Sequence, residues 1–212
     1  MTDADRRGAG PSGTTLASIV ERVAAFERRA AGRPDLRHAA VAVVVLDDPD
    51  RGPGVLLTRR TSTLRDHPGQ FALPGGSVDP GEDDVTAARR ELAEELGLEL
   101  DAGAVLGRLD DYPTRSGFVI TPVVLRAAGR VGDLTPSPDE VAELFHITLD
   151  ELDVEPYYLD IPESERPVVQ LPLVGHRIHA PTAAVLLQFR EVALCGRATR
   201  VDGLEQPVFA WK

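Results

Sequence analysis

The chain is poor in cysteine, in long apolar runs and in basic residues, and each scarcity excludes a class of protein. Its one cysteine, Cys195, cannot form an intrachain disulfide, which excludes a disulfide-stabilised fold and agrees with a reducing compartment. The longest apolar run, residues 39–46, is far shorter than a helix that spans a bilayer. The first residues lack the apolar core of a secretory signal peptide. We therefore expect a cytoplasmic protein that does not enter membranes.

Basic residues are outnumbered, with 23 Lys and Arg against 34 Asp and Glu and a net charge of −11. A nucleic-acid backbone is bound by a basic surface, so we expect no nucleic-acid partner. A small anionic ligand remains compatible with this charge, because bound metal ions and a few arginines reverse the sign locally.

The composition predicts one domain with a segment at each end. Residues 1–13 are polar and glycine-rich, which predicts a flexible tail. Residues 14–196 carry regular apolar patterns and predict a single domain, and residues 197–212 follow as a C-terminal extension.

Apolar periodicity within the domain predicts alternating helices and strands. Helical spacing covers residues 14–29, 84–96 and 182–194, with Thr182 as the expected N-cap of the last helix. The predicted strands cover residues 38–47, 55–59, 104–112, 117–126 and 140–147. This order favours an α/β fold with a mixed sheet between helices.

Three carboxylates share one face of the predicted helix over 84–96. At about 100° per residue, Glu94 lies about 60° and Glu95 about 40° around the helix from Glu91. A solvated acidic face is one interpretation, although like charges at this spacing weaken a helix. The other is a site for a hard divalent cation, which prefers carboxylate oxygens.

The residues before the helix favour the metal site. Gly75 and Gly76 follow Leu73-Pro74, and glycines allow a backbone to approach a ligand closely, although a plain tight turn would also use them. The whole segment resembles the signature of the Nudix hydrolase family, with every spacing kept. The matching residues are Gly76, Glu82, Arg90, Glu91, Leu92, Glu94, Glu95, Gly97 and Leu98.

The resemblance implies an α/β/α sandwich that hydrolyses a diphosphate with Mg²⁺ or Mn²⁺. It implies that Glu91, Glu94 and Glu95 bind the metal and take part in catalysis, with the Gly75 carbonyl as a further ligand. Two other groups have implied roles, one supporting and one catalytic. Glu82 and Arg90 would pair to brace the loop, and Glu140 or Glu143 would supply a general base, unless these last two are ordinary surface residues at a strand edge.

A second segment resembles the coenzyme A diphosphatase branch of the family. The matching residues are Leu56, Leu57, Thr58, Arg60, Arg65, Gly69, Pro74, Gly75 and Gly76, while Thr61 replaces Ser or Ala and Leu73 replaces Phe. The resemblance implies that Arg60, Arg65, Gly75 and Gly76 bind coenzyme A or acyl-coenzyme A. Both arginines suit phosphate oxygens, and Arg60 is a candidate to bind the 3′-phosphate; the alternative is that they face solvent or pair with neighbours.

Two other functions stay open at this point. One is a Nudix enzyme for a different diphosphate, such as ADP-ribose, a dinucleotide or a nucleoside triphosphate, which the two departures allow. The other is a nucleotide-sensing module without turnover, which would normally have lost one of the three helix carboxylates. If the chain forms an oligomer, a homodimer is the default expectation.

Overall fold

The structure is a computed structural model that describes residues 14–62 and 69–210. The predicted tail over residues 1–13 lies outside this range. The four α-helices of the described residues are α1 (Leu16–Ala24), α2 (Asp84–Leu96), α3 (Leu149–Leu152) and α4 (Thr182–Phe189). The strands are β1 (Arg37–Asp48), β2 (Gly52–Arg60), β3 (Phe71–Ala72), β4 (Gly75–Ser77), β5 (Val105–Arg108), β6 (Tyr112–Pro113), β7 (Phe118–Ala128), β8 (Val141–Thr148), β9 (Tyr157–Ile161), β10 (Ser164–Leu173) and β11 (His176–His179).

A mixed sheet forms the centre of the fold. Its strand order is β3-β2-β1-β7-β5, and β4, β6 and β8 pair with β1, β7 and β2 respectively. β1 and β7 run parallel, whereas the other pairs of this sheet are antiparallel. β1 is apolar almost throughout because both of its faces are buried, with Ala42 and Val44 on one side and Val43 and Val45 on the other.

Helices cover both faces of this sheet. α2 packs Ala88, Leu92 and Leu96 against one face. α1 and α4 pack against the other face, together with a second sheet of order β11-β10-β9. The arrangement confirms the predicted α/β sandwich with a mixed sheet between helices.

Three predicted elements differ from the structure. The first helix ends at Ala24 rather than near residue 29, although Thr15 caps its start. The predicted strand over 104–112 is split into β5 and β6. The last helix continues beyond Phe189 as one π-helical segment, Arg190–Leu194. Thr182 is not its N-cap, because Pro181 occupies that position and the Thr182 hydroxyl donates to the Phe71 carbonyl (3.1 Å).

The segment after residue 196 is bound to the domain by polar contacts. Arg197 pairs with buried Glu191 (2.5 Å), and the Gln188 amide donates to the Thr199 carbonyl (3.0 Å). Further along, Glu205 pairs with Arg115 (2.7 Å). These contacts hold the segment against α4 and the β6–β7 loop. Across residues 14–62 and 69–210, no helix has the length and apolar character needed to cross a membrane.

Candidate active site

α2 is set in place at both ends by local sequence signals. The Asp83 side chain accepts a hydrogen bond from the Thr86 N–H (2.8 Å) and caps the first turn. Gly97 ends the helix in the left-handed region (φ 65°), as the sequence predicts. The predicted helix bounds, 84–96, are confirmed.

The Gly75–Gly76 segment lies between α2 and β1. In the β1–β4 pair, Gly75 lies opposite Val41 and Gly76 lies opposite Ala40. A Cβ on Gly75 would overlap the Ala40 carbonyl, and a Cβ on Gly76 would overlap the Glu91 carboxylate. Both glycines are therefore required for close packing, which brings the helix carboxylates against this backbone.

The three helix carboxylates differ in burial. Glu95 is 3% exposed and accepts a hydrogen bond from the Gly75 N–H (3.2 Å). Burial raises the pKa of Glu95 to about 7, against the opposing effects of that N–H and of the Arg60 charge. Burial also raises the pKa of Glu91, although Arg90 opposes this. Glu94 is exposed, so its carboxylate is open to solvent.

Arg90 joins the helix to the preceding turn. Its guanidinium forms a bidentate pair with Glu82 (3.1 and 3.0 Å) and also donates to the Ser77 carbonyl (3.1 Å). A third contact joins it to Glu91 (2.7 Å), and Glu94 is at 3.5 Å. Arg90 therefore braces the loop and also holds one of the three carboxylates.

Glu140 and Glu143, the two candidate bases, have different surroundings. Glu140 precedes β8, and its charge contributes to the raised pKa of both Glu91 and Glu95, so it lies near them. Glu143 lies across β2 from Arg59 and pairs with it (2.6 Å). The structure therefore brings Glu140 to the acidic helix and directs Glu143 to an arginine outside it.

The carboxylates do not form a ready metal cluster. Within residues 14–62 and 69–210, no three His, Cys, Asp or Glu side chains are grouped closely enough to hold a metal ion as they stand. The Glu91 carboxylate is held by Arg90, and Glu95 is held by the Gly75 N–H. The shared helix face predicted from the sequence thus brings the three residues together on one helix, but their oxygens do not converge.

A cleft of about 390 Å³ lies on the other side of the Gly75–Gly76 backbone. Its lining includes Arg60 and Gly75, and also Arg37, Phe118 and Gln206. The last three residues could not be predicted as a group from the sequence, because they come from distant parts of the chain. Arg65 lies outside the described residues.

Known proteins give an independent assignment. The family profile of the NUDIX domain matches residues 36–170. An uncharacterized Nudix hydrolase NudL of Photorhabdus laumondii is 41% identical over 129 residues, which cover 59% of this chain and 67% of the relative. The NudL of Yersinia enterocolitica is 38% identical over 157 residues, covering 71% and 77%.

The fold comparison agrees with the sequence comparison. The crystal structure of RenU, a Nudix hydrolase from M. smegmatis, aligns with a TM-score of 0.50 and 23% identity, covering 74% of this chain and 84% of that one. At this identity the likeness concerns the fold alone. Together with the profile match and the signature residues on α2, it leads to one conclusion: the chain belongs to the Nudix family of hydrolases.

Proposed function

We propose that the chain is a divalent-metal-dependent hydrolase that cleaves the diphosphate of coenzyme A or acyl-coenzyme A. The products are adenosine 3′,5′-bisphosphate and 4′-phosphopantetheine or its acyl form. The observation that carries the proposal is the position of Arg60. It lines the cleft together with Gly75, and its charge acts on buried Glu95, so a phosphate binder from β2 and the acidic residues of α2 both lie near the Gly75 backbone.

The donor set suits Mg²⁺ or Mn²⁺. Glu95 is almost fully buried, yet its hydrogen-bond partner is a backbone N–H rather than a cation. The nearby carboxylates of Glu91 and Glu140 raise its pKa further. A buried carboxylate group of this kind is short of positive charge, and hard oxygen ligands match these ions. Glu91, Glu94 and Glu95 would hold the metal, with the Gly75 carbonyl as a further ligand, once Glu91 leaves Arg90.

Each remaining residue has an assigned task in the reaction. When bound, the divalent cation neutralises diphosphate oxygens and makes water a better nucleophile. Glu140 accepts the proton of the attacking water, because it is the carboxylate beside α2 that is not a proposed ligand. Arg60 holds the diphosphate against the loop. Water adds to one phosphorus, the anhydride P–O bond breaks, and the other phosphate leaves with the bridging oxygen.

The two departures from the coenzyme A motif are compatible with this substrate. The Thr61 hydroxyl donates to the Asp139 carbonyl (2.8 Å), a bond that Ser would also make. Leu73 is 5% exposed and belongs to the apolar core, where Leu and Phe both pack. Neither substitution removes a polar group from the cleft.

A substrate panel tests the proposal. The purified chain is incubated with coenzyme A, ADP-ribose and NADH, each with Mg²⁺, with Mn²⁺ and with chelator, and the products are identified by mass. We expect metal-dependent release of adenosine 3′,5′-bisphosphate from coenzyme A. Cleavage of ADP-ribose or NADH alone would refute the coenzyme A assignment, and tight binding without hydrolysis of any substrate would favour a sensing module.

A further inference from the structure

Arg37 and Gln206 line the cleft but have no role in the proposed reaction. Gly75 lies opposite Val41 on β1, and Arg37 is four residues before Val41 on the same strand. At the rise of a β-strand this separation is about 13 Å. A side chain at Arg37 therefore reaches a part of the ligand that is different from the diphosphate beside Gly75.

Arg37 is a solvent-exposed cation that lines the cleft. It lies opposite Phe118 in the parallel β1–β7 pair, and its guanidinium carbon is 3.9 Å from the centre of the Phe118 ring. Stacking on a ring fixes the guanidinium plane but leaves its N–H edge free to donate. Within the described part of the chain, Arg37 forms no ion pair.

Gln206 supplies a second free donor. It lines the cleft although only 2% of it is exposed. Its Oε1 accepts from the Arg115 N–H (2.7 Å), while its Nε2 has no hydrogen-bond partner among residues 14–62 and 69–210. The neighbouring Glu205 fixes this arrangement by accepting from both Arg115 and the Gln206 N–H. This nitrogen is not among the buried unpartnered atoms of the described residues, so it is open to the cleft and can donate to a ligand oxygen.

The hydroxyl groups of Thr114 and Ser116, which also line the cleft, already form hydrogen bonds within the chain. The Thr114 hydroxyl donates to the Phe118 carbonyl (3.0 Å) and accepts from the Phe118 N–H (2.9 Å). The Ser116 hydroxyl donates to Thr114 (3.0 Å). The donors of Arg37 and Gln206 are not engaged in this way, and they suit an anionic group that only accepts hydrogen bonds.

We propose that Arg37 and Gln206 form a second phosphate-binding subsite, which reads a sugar monophosphate separate from the diphosphate. The inference rests on the proposed function, in which the diphosphate lies against Gly75 and Arg60. In coenzyme A the matching group is the 3′-phosphate, which the ribose separates from the diphosphate. This reassigns the 3′-phosphate from Arg60, whose position beside Glu95 suits the scissile diphosphate instead.

The test compares coenzyme A with 3′-dephospho-coenzyme A as substrates of matched variants. Arg37→Ala should raise KM for coenzyme A about tenfold or more, because a charge-assisted hydrogen bond is lost. KM for the dephospho substrate should change less than twofold. Gln206→Glu should have the same selectivity, because it keeps the acceptor for Arg115 and places a negative oxygen where the amide donor lies. Arg130→Ala removes an exposed arginine paired with Asp50 and serves as the control.

Equal changes for both substrates, or none in either variant, would overturn the subsite. If the wild-type chain leaves coenzyme A intact, the proposed function fails and the subsite is judged by binding alone. Calorimetry with adenosine 3′,5′-bisphosphate and with AMP then decides. Tighter binding of the bisphosphate that is lost in Arg37→Ala supports the subsite, whereas equal affinities of the wild type for both nucleotides refute it.

Discussion

Glu95 beside the Gly75 loop and Glu205 in the C-terminal segment are buried to the same degree, at 3% and 2% exposure. Their pKa values are nevertheless shifted in opposite directions. Burial raises the pKa of Glu95 to about 7. Burial acts in the same direction on Glu205, but hydrogen bonds from Arg115, from the Gln206 N–H and from other neighbours including Arg166 outweigh it and lower its pKa to about 2.

The difference lies in the supply of positive charge. Two arginines contact Glu205 directly (2.7 and 3.0 Å), so this carboxylate is fully compensated by the chain itself. Glu95 has the Gly75 N–H and the more distant charge of Arg60, with two further carboxylates nearby. A protein maintains an undercompensated buried charge at a cost, and perturbed groups of this kind concentrate at functional sites. Glu205 is therefore compensated within the fold, whereas Glu95 is the carboxylate that we propose to bind a cation.

Replacing Glu by Gln at each site should separate the two roles, and the largest expected effect is the loss of activity in Glu95→Gln. We expect Glu95→Gln to lower kcat/KM at least about 100-fold, because the loss of a direct metal ligand exceeds the effect of losing its supporting groups. The fold should persist, since a Gln oxygen still accepts from the Gly75 N–H. Steady-state kinetics check the rate, and thermal unfolding checks the fold. A folded variant with activity within threefold of the wild type would contradict the assignment.

A divalent cation should stabilise the acidic site. At a concentration of 100 times Kd, Mn²⁺ should raise the free energy of unfolding by about 2.7 kcal/mol. Glu95→Gln should reduce this gain strongly because the site has lost a ligand, while Glu205→Gln should keep it. Thermal unfolding with chelator and with Mn²⁺ measures both. An equal gain in wild type and Glu95→Gln would place the cation elsewhere.

Glu205→Gln should weaken the fold itself. We expect the free energy of unfolding to fall by about 2 kcal/mol, less than for a fully buried ion pair because Arg115 and Arg166 remain partly hydrated. Glu99→Gln is the matched control, since it removes an exposed carboxylate from another part of the surface. Denaturant unfolding measures both variants. Equal stability of all three proteins would show that the arginine contacts contribute nothing measurable.

Local patterns in the sequence predicted one of these two regions far better than the other. The bounds of α2, its glycine end and its shared carboxylate face all follow from residues within one or two turns of each other. Glu140 is brought near α2 by long-range contacts, namely the pairing of β8 with β2 and the hydrogen bond from the Ser137 N–H to the Glu95 carbonyl, which is why Glu143, three residues along, was an equally good candidate from sequence. Spacing alone does not distinguish the two.

The Glu205 region depends on contacts that local patterns do not contain. The second sheet, formed by β9, β10 and β11, was not predicted. The orientation of the Gln206 amide is set by the distant Arg115, whose N–H donates to it. Thr182 illustrates the same limit, since a strong capping residue is used instead for a bond to a distant carbonyl. The roles of these residues depend on partners that are far away in the sequence, and short sequence patterns do not identify such partners.

Lowering the pH should remove the contribution of Glu205 to the free energy of unfolding. This is the smallest of the expected effects. The folded pKa of about 2 lies below the usual 4.5, so the folded state binds fewer protons than the unfolded state between these values. The stabilisation is therefore complete above pH 4.5 and is lost as the pH falls through 2. By pH 3 the advantage of wild type over Glu205→Gln should shrink by about 1 kcal/mol, after allowance for hydration of the arginines. Denaturant unfolding of both proteins at pH 7, 4 and 3 measures this difference, and an advantage that stays constant with pH would show that the carboxylate is not held ionised by its arginines.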